Sequence, residues 1–343
     1  MNRPATLSYC LFGGLLVLMG YLHLATPFLT ILFVFLILEK LRIATRSKWV
    51  AITLMILLMA LLSWGSIYFS RQMVTAMPEM LAKTIPSMID YLDNHGVTLP
   101  FENHQGLKTM LVESVQNQWG NIGKLAGNLV HQAAFVIIGL VIAVGLFLNK
   151  ELDIERHTHP ISNNYYSLIL EALAARFRSF FLSFERVMGA QVTISILNTG
   201  FTAIFTTFCH LPYPVMLIGV TFLCGLFPII GNLISNTVII GVAFTVSPKT
   251  ALAALIFLVV IHKLEYFLNS KIIGDRIKNP VWLTLLGLLI GERLLGIPGM
   301  ILAPVLLNFI KVEASQTAVP LGEKALDQEK APENSKSKST EAA

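Results

Sequence analysis

Two apolar segments of about thirty residues, each broken near its centre, constrain this chain more than any other feature. The first, PVMLIGVTFLCGLFPIIGNLISNTVIIGVAF, runs from Pro214 to Phe244; the second, VWLTLLGLLIGERLLGIPGMILAPVLLNFI, runs from Val281 to Ile310. Pro228 removes an amide donor from the first, and Gly231 with Asn232 offers a turn. Gly296, Pro298 and Gly299 do the same to the second, just after the charged pair Glu292–Arg293. Each half is then about 13 residues, or about 20 Å of helix, against the about 30 Å of a hydrocarbon core. Two helix–turn–helix hairpins dipping part way into a membrane fit these lengths; two full spans per segment fit the loop charges equally well. Matched Gly/Pro-interrupted apolar segments are the best sequence pointer to a transporter's binding site.

Composition settles the solvent. Hydrophobic residues make up 55% of the chain, charged residues 13%, and the mean hydropathy is +0.69. A soluble chain carries about 25% charge, so this one belongs in lipid. The net charge of +5 does not indicate nucleic acid, because most basic residues sit in short loops beside apolar runs, where they act as topology signals. Cys10, Cys209 and Cys224 all lie in apolar stretches and show no metal or disulfide spacing; small hydrophobic packing suits them.

Taken in order, residues 1–70 give a membrane hairpin punctuated at Pro27, the basic segment EKLRIATRSK, and a clean span from Trp49 to Phe69. Short basic loops face the cytoplasm. Residues 71–132 form an external segment in which Leu107, Met110, Leu111, Val115, Trp119, Ile122, Leu125 and Leu129 recur at helical steps. That apolar face suits a partner subunit or the membrane surface, and packing against its own neighbours is the simpler account. Residues 133–188 hold a returning span and a polar cytoplasmic stretch that is helical from Tyr165 to Arg186. The transport core is 189–312, and 313–343 is a disordered cytoplasmic tail rich in Glu, Lys and Ser. One crossing plus one broken hairpin, repeated with opposite orientation, makes an inverted repeat within the core.

Polar residues inside apolar stretches are the candidates for chemistry. The freed carbonyls and amides at Pro228–Asn232 and Gly296–Gly299 suit a polar substrate or an ion; ordinary extramembrane turns are the alternative. Glu292 and Arg293 mark function only if their hairpin re-enters the membrane. Of His262, Lys263 and Glu265, Lys263 suits snorkelling and Glu265 suits gating or carrying a proton. Asn232, Ser235 and Asn236 face a polar cavity or tie neighbouring helices together. Gly287 and Gly291 form a small-residue packing face. No HExxH, P-loop or nucleophile elbow occurs, and His157 and His159 make a weak metal pair, so neither an enzyme, a metal centre nor a cofactor is expected.

GVTFLCGLFPIIGNLIS (Gly219–Ser235), SKIIGDRIKNP (Ser270–Pro280) and LLGIPGMILAPVLL (Leu294–Leu307) together resemble the autoinducer-2 exporter (AI-2E) family of transporters. The family's P-x-x-G break falls on Pro228 and Gly231. Its K/R-I-x-G segment with a later Pro falls on Lys271, Ile272, Gly274 and Pro280. Its G-x-x-G-x-x-x-x-P ending falls on Gly296, Gly299 and Pro304. Ser270 stands where the family usually has Pro. The resemblance implies a multi-pass inner-membrane protein, a homo-oligomer, exporting small solutes; some members are linked to autoinducer-2 and others to sodium/proton exchange.

The expected molecule is an all-α polytopic transporter with both termini in the cytoplasm and the bilayer and a small-molecule or ion substrate as partners. Pro228–Asn236 and Glu292–Gly299 are expected to approach each other near the midplane and line its pathway. Export of a small polar solute such as autoinducer-2, by secondary or passive transport, leads the functional readings. A monovalent cation/proton antiporter and a non-transporting membrane scaffold oppose it.

Overall fold

The computed structural model describes residues 3–94, 122–149, 164–227, 230–273 and 280–316. They form helices α1 (Arg3–Tyr21), α2 (Ala25–Thr45), α3 (Lys48–Asn94), α4 (Ile122–Leu148), α5 (Tyr165–Phe208), α6 (Pro214–Gly225), α7 (Ile230–Val246), α8 (Pro248–Ile273), α9 (Val281–Leu295) and α10 (Ile297–Ser315), with no strand among the described residues. Lys48–Tyr91, Tyr165–Phe208 and Ile297–Ser315 are long and apolar enough to cross a membrane, and α1 and α2 join at a bend of 119°. The chain is an all-helical polytopic membrane protein.

Three apolar cores hold these helices together. Phe12 of α1, Leu32 and Leu36 of α2, Phe180 and Phe184 of α5, and Val305 and Phe309 of α10 make one. The opposite face of α2, through Val34 and Leu38, meets Ala51 and Met55 of α3 and Phe147 of α4 in a second. The third joins Ala76 and Met80 of α3 to Met216 and Leu217 of α6, Ile239 and Val242 of α7, and Ala254 and Leu258 of α8. It is this last core that holds the candidate site.

Helix boundaries depart from the sequence divisions. α3 runs 47 residues straight past Arg71, and α5 runs 44 residues through 188/189, uniting the polar stretch with the crossing that follows. α4 likewise passes through 132/133. The physical reason is that apolarity stops at Phe69 but helical periodicity does not. Met73, Ala76, Met77, Met80 and Leu81 continue a stripe at three- and four-residue steps, and it packs on α6 and α7. Leu107 to Trp119, His157, His159 and the tail beyond Gln316 lie outside the described residues.

The C-terminal division also moves. α10 extends to Ser315, and Glu313, placed by the sequence reading in a disordered tail, is buried. Tyr9 donates to its Oε1 at 2.9 Å and Ser179 to its Oε2 at 2.7 Å, while Arg176 pairs with Oε1 and lies 4.3 Å over the Tyr9 ring. A buried carboxylate persists where charge-assisted hydrogen bonds replace its water. Tyr9→Phe keeps the ring and removes one donor. It is expected to cost about 1.5 kcal/mol, seen as a lower unfolding midpoint in detergent. An unchanged midpoint would show that Arg176 and Ser179 suffice.

The two broken segments differ at their turns. Between α9 and α10 a single residue, Gly296, turns the chain at φ 64° and ψ −148°, a conformation open to glycine. The two helices then pack backbone to backbone: a Cβ on Gly299 would stand 1.9 Å from the Gly291 carbonyl oxygen. In the first segment, Leu226 and Phe227 lead out of α6, and α7 begins at Ile230. A Cβ on Gly231 would stand 1.7 Å from the carbonyl oxygen of Cys224, so the first turn of α7 rests directly on the last turn of α6.

Candidate functional site

One face of α5 is polar within an otherwise apolar crossing. Gln191, Ser195, Asn198, Thr202 and Thr206 recur at steps of four, three, four and four residues. That spacing keeps them on one side of a helix. Ser195, Asn198, Thr202 and Thr206 are all buried, facing the α6–α7 hairpin and α8 rather than lipid. Sequence reading weighed this stretch by apolar length and passed over the stripe; its period was the available signal.

The stripe meets a carboxylate. Glu265 of α8 accepts the Asn232 Nδ2 amide at both oxygens, 2.8 Å to Oε1 and 2.7 Å to Oε2. Asn198 Nδ2 lies 3.3 Å from Oε2. Asn232 reaches this position because Gly231, the residue before it, seats α7 on α6. Thr202, Thr221, Ser235, Asn236 and His262 line a cavity of about 10 Å³ with Asn198, Asn232 and Glu265, and Ile239, Leu258 and Ile261 close the rest of its walls. That is room for a single water-sized occupant.

The chemistry of this cavity follows from its groups. A carboxylate packed beside α5, a helix long and apolar enough to cross a membrane, is costly, on the order of 3 kcal/mol for an acidic side chain at a helix centre, unless it is partnered. Each hydrogen bond to a charged group returns about 1.5–3 kcal/mol, so the two amides offset the cost. An asparagine carries two donors and an acceptor on one group. Turned one way it donates to a bare carboxylate. Turned the other, its oxygen accepts from a protonated Glu265 or faces a cation bound there. Among the described residues no group of three or more His, Cys, Asp or Glu stands together. One carboxylate among amides and hydroxyls matches the charge of a proton or a monovalent cation.

Of the sequence candidates, the structure therefore brings Asn232, Asn236 and Glu265 together, with Gly231 behind them. The second break goes elsewhere. α9–α10 packs on α5 and α2, and none of Glu292, Arg293, Gly296 and Gly299 lines the Glu265 cavity. Glu292 and Arg293 are exposed near the end of α9, Gly296 is the exposed turn, and Gly299 is buried against Gly291. The physical reason is that α10 spends its apolar face on Phe12, Phe180 and Phe184 in a different core. Lys271 falls in the last turn of α8, Pro280 precedes α9, and Pro304 sits within a continuous α10. Pro228 and Gly274 lie outside the described residues. A larger cavity of about 230 Å³ lies between α1, α2 and α9–α10, lined by Leu16, Met19, Phe28, Leu294 and Leu302 among others. Its walls are apolar, so it offers a polar solute no hydrogen bonds.

Comparison with known proteins agrees in kind. Residues 7–318 match the AI-2E family transporters. A protein of Bacillus subtilis (strain 168) named "Putative transport protein YdbI" is 24% identical over 327 residues, covering 87% of this chain and 89% of its own length.

Proposed function

This chain belongs to the AI-2E transporter family, and on that premise we propose that it is a secondary transporter in which Glu265 binds and releases the coupled ion. The observation that carries this reading is the Glu265 carboxylate gripped at both oxygens by Asn232 inside a polar cavity of a membrane protein. Binding a cation at Glu265 and protonating it are mutually exclusive, so one site serves both halves of an exchange. A cavity of about 10 Å³ favours monovalent cation/proton exchange over passage of a sugar-sized molecule.

The second reading, export of a small polar solute such as autoinducer-2, rests on the name of the family. It requires α7 to separate from α8 far enough to open the cavity. We place the protein in the cell inner membrane with cytoplasmic termini, since Lys40, Arg42, Arg46 and Lys48 cluster around the turn from α2 to α3; its assembly as a homo-oligomer rests on the family resemblance alone. Proteoliposomes carrying an internal pH dye and given labelled autoinducer-2 separate the two readings. Proton movement driven by a sodium or potassium gradient without the solute supports exchange. Solute movement without any cation-driven pH change supports export instead. Neither movement, with correctly folded protein, returns the scaffold reading to the front.

A further inference from the structure

We propose that Gln191 and Ser195 are positioning residues of the Glu265 site, holding the tip of α6 so that Asn232 meets the carboxylate; the inference rests on the transport reading above. α6 ends at Gly225; the Leu226 and Phe227 amides turn back onto the Leu223 and Cys224 carbonyls, which leaves those of Phe222 and Gly225 to be met from outside. Two side chains of α5 supply the missing donors. Gln191 Nε2 donates to the Gly225 carbonyl at 2.6 Å, and Ser195 Oγ donates to the Phe222 carbonyl at 2.7 Å. The contact needs Gly225, because a Cβ there would stand 2.6 Å from Ser195 Oγ.

The connection to the site is short and continuous. Gln191 and Ser195 fix the last turn of α6; the carbonyl of Cys224 in that turn is the surface on which Gly231 rests; Asn232 is the next residue and holds Glu265. Asn198, one turn beyond Ser195 on the same helix face, also reaches the carboxylate, at Oε2. α5 therefore sets both amides relative to Glu265. A displacement of the tip by about an ångström takes the Asn232 bonds beyond hydrogen-bonding length.

Cys224 lies in the pinned turn and is half-buried, so its thiol reports whether the tip is held. The test uses the full chain in proteoliposomes, with N-ethylmaleimide labelling of each cysteine followed by mass spectrometry, and cation-driven proton flux measured beside it. Gln191→Met, which keeps volume and removes the donor, and Ser195→Ala are each expected to speed Cys224 labelling about fivefold, the factor for one lost hydrogen bond. Cys209, at the other end of α5, is expected to label as in the parent. Flux is expected to fall about tenfold in Gln191→Met but by less than about twofold when the same change is made in an Asn232→Ala background, because the two act through one contact.

Unchanged Cys224 labelling in both variants would overturn the proposal, as would Cys209 labelling that rises in step, which marks general loosening. A flux loss from Gln191→Met that repeats in full in the Asn232→Ala background would also overturn it. If Glu265→Gln leaves flux untouched, the transport reading fails on its own, and the labelling of Cys224 alone decides whether the two side chains hold the tip.

Discussion

Glu265→Gln is expected to reduce cation-driven proton flux at least about 100-fold while leaving the amount of folded protein unchanged, a loss equivalent to about 2.7 kcal/mol in the barrier. Glutamine has nearly the volume of glutamate and offers the Asn232 amide one oxygen where glutamate offers two, so the shape of the cavity is kept and one of the two bonds is given up. What it lacks is a charge that a proton can cancel. With no titrating group, one half of the exchange has no carrier. Glu292→Gln makes the same chemical change at the exposed end of α9, away from the cavity, and is expected to leave flux within about twofold of the parent. Measured together in liposomes with an internal pH dye, the pair separates a specific site from a general effect of removing acid. Equal losses in both would contradict the assignment.

Gly231→Ala is expected to disable the protein by a different route. The added Cβ would stand 1.7 Å from the Cys224 carbonyl oxygen and 2.6 Å from its carbon, and both are backbone atoms that no side-chain rotation moves. α7 must therefore draw back from α6 by more than an ångström. Overpacking of this kind costs about 1–3 kcal/mol or more, which lowers the unfolding midpoint. The larger consequence is local: Asn232 moves with the first turn of α7, and its bonds of 2.7 and 2.8 Å to Glu265 are lost. Flux per folded molecule is expected to drop at least tenfold. Gly200→Ala, on α5 with nothing within 4 Å of the new methyl, serves as the control and should change neither quantity. A Gly231→Ala protein with normal flux would show that the tip contact does not govern the site.

The features legible in the sequence were those that local chemistry decides. Apolar runs and basic loops gave a polytopic helical protein, and Gly296 marked the second turn; Gly231 and Asn232, expected to turn the first segment, lie instead in the first turn of α7, where the missing Cβ serves close packing on α6. Glu265, Asn232 and Asn236 stood out because polar groups in lipid need a reason. What stayed hidden depends on which helix faces which. Two broken segments of similar composition look equivalent in one dimension, yet α6–α7 packs on α5, α8 and α3 while α9–α10 packs on a different part of α5 and on α2. The partners of Glu313 include Tyr9, Arg176 and Ser179, and Tyr9 lies 304 residues away along the chain. The stripe from Gln191 to Thr206 was readable by its period, but a search for a span long enough to cross lipid counts apolar residues and overlooks where the polar ones fall.

A carboxylate shared by a cation and a proton makes the KM for the driving cation depend on pH, which kinetics of the reconstituted protein measure. If both ligands compete for Glu265, protons occupy the site as pH falls. KM is then expected to rise about tenfold for each unit of pH on the acidic limb, while the maximal rate at saturating cation stays constant. On the alkaline limb KM should level off, because the carboxylate is free throughout. A KM that does not change with pH, with the rate still lost in Glu265→Gln, would mean that cation and proton bind at separate places and would contradict the single shared site.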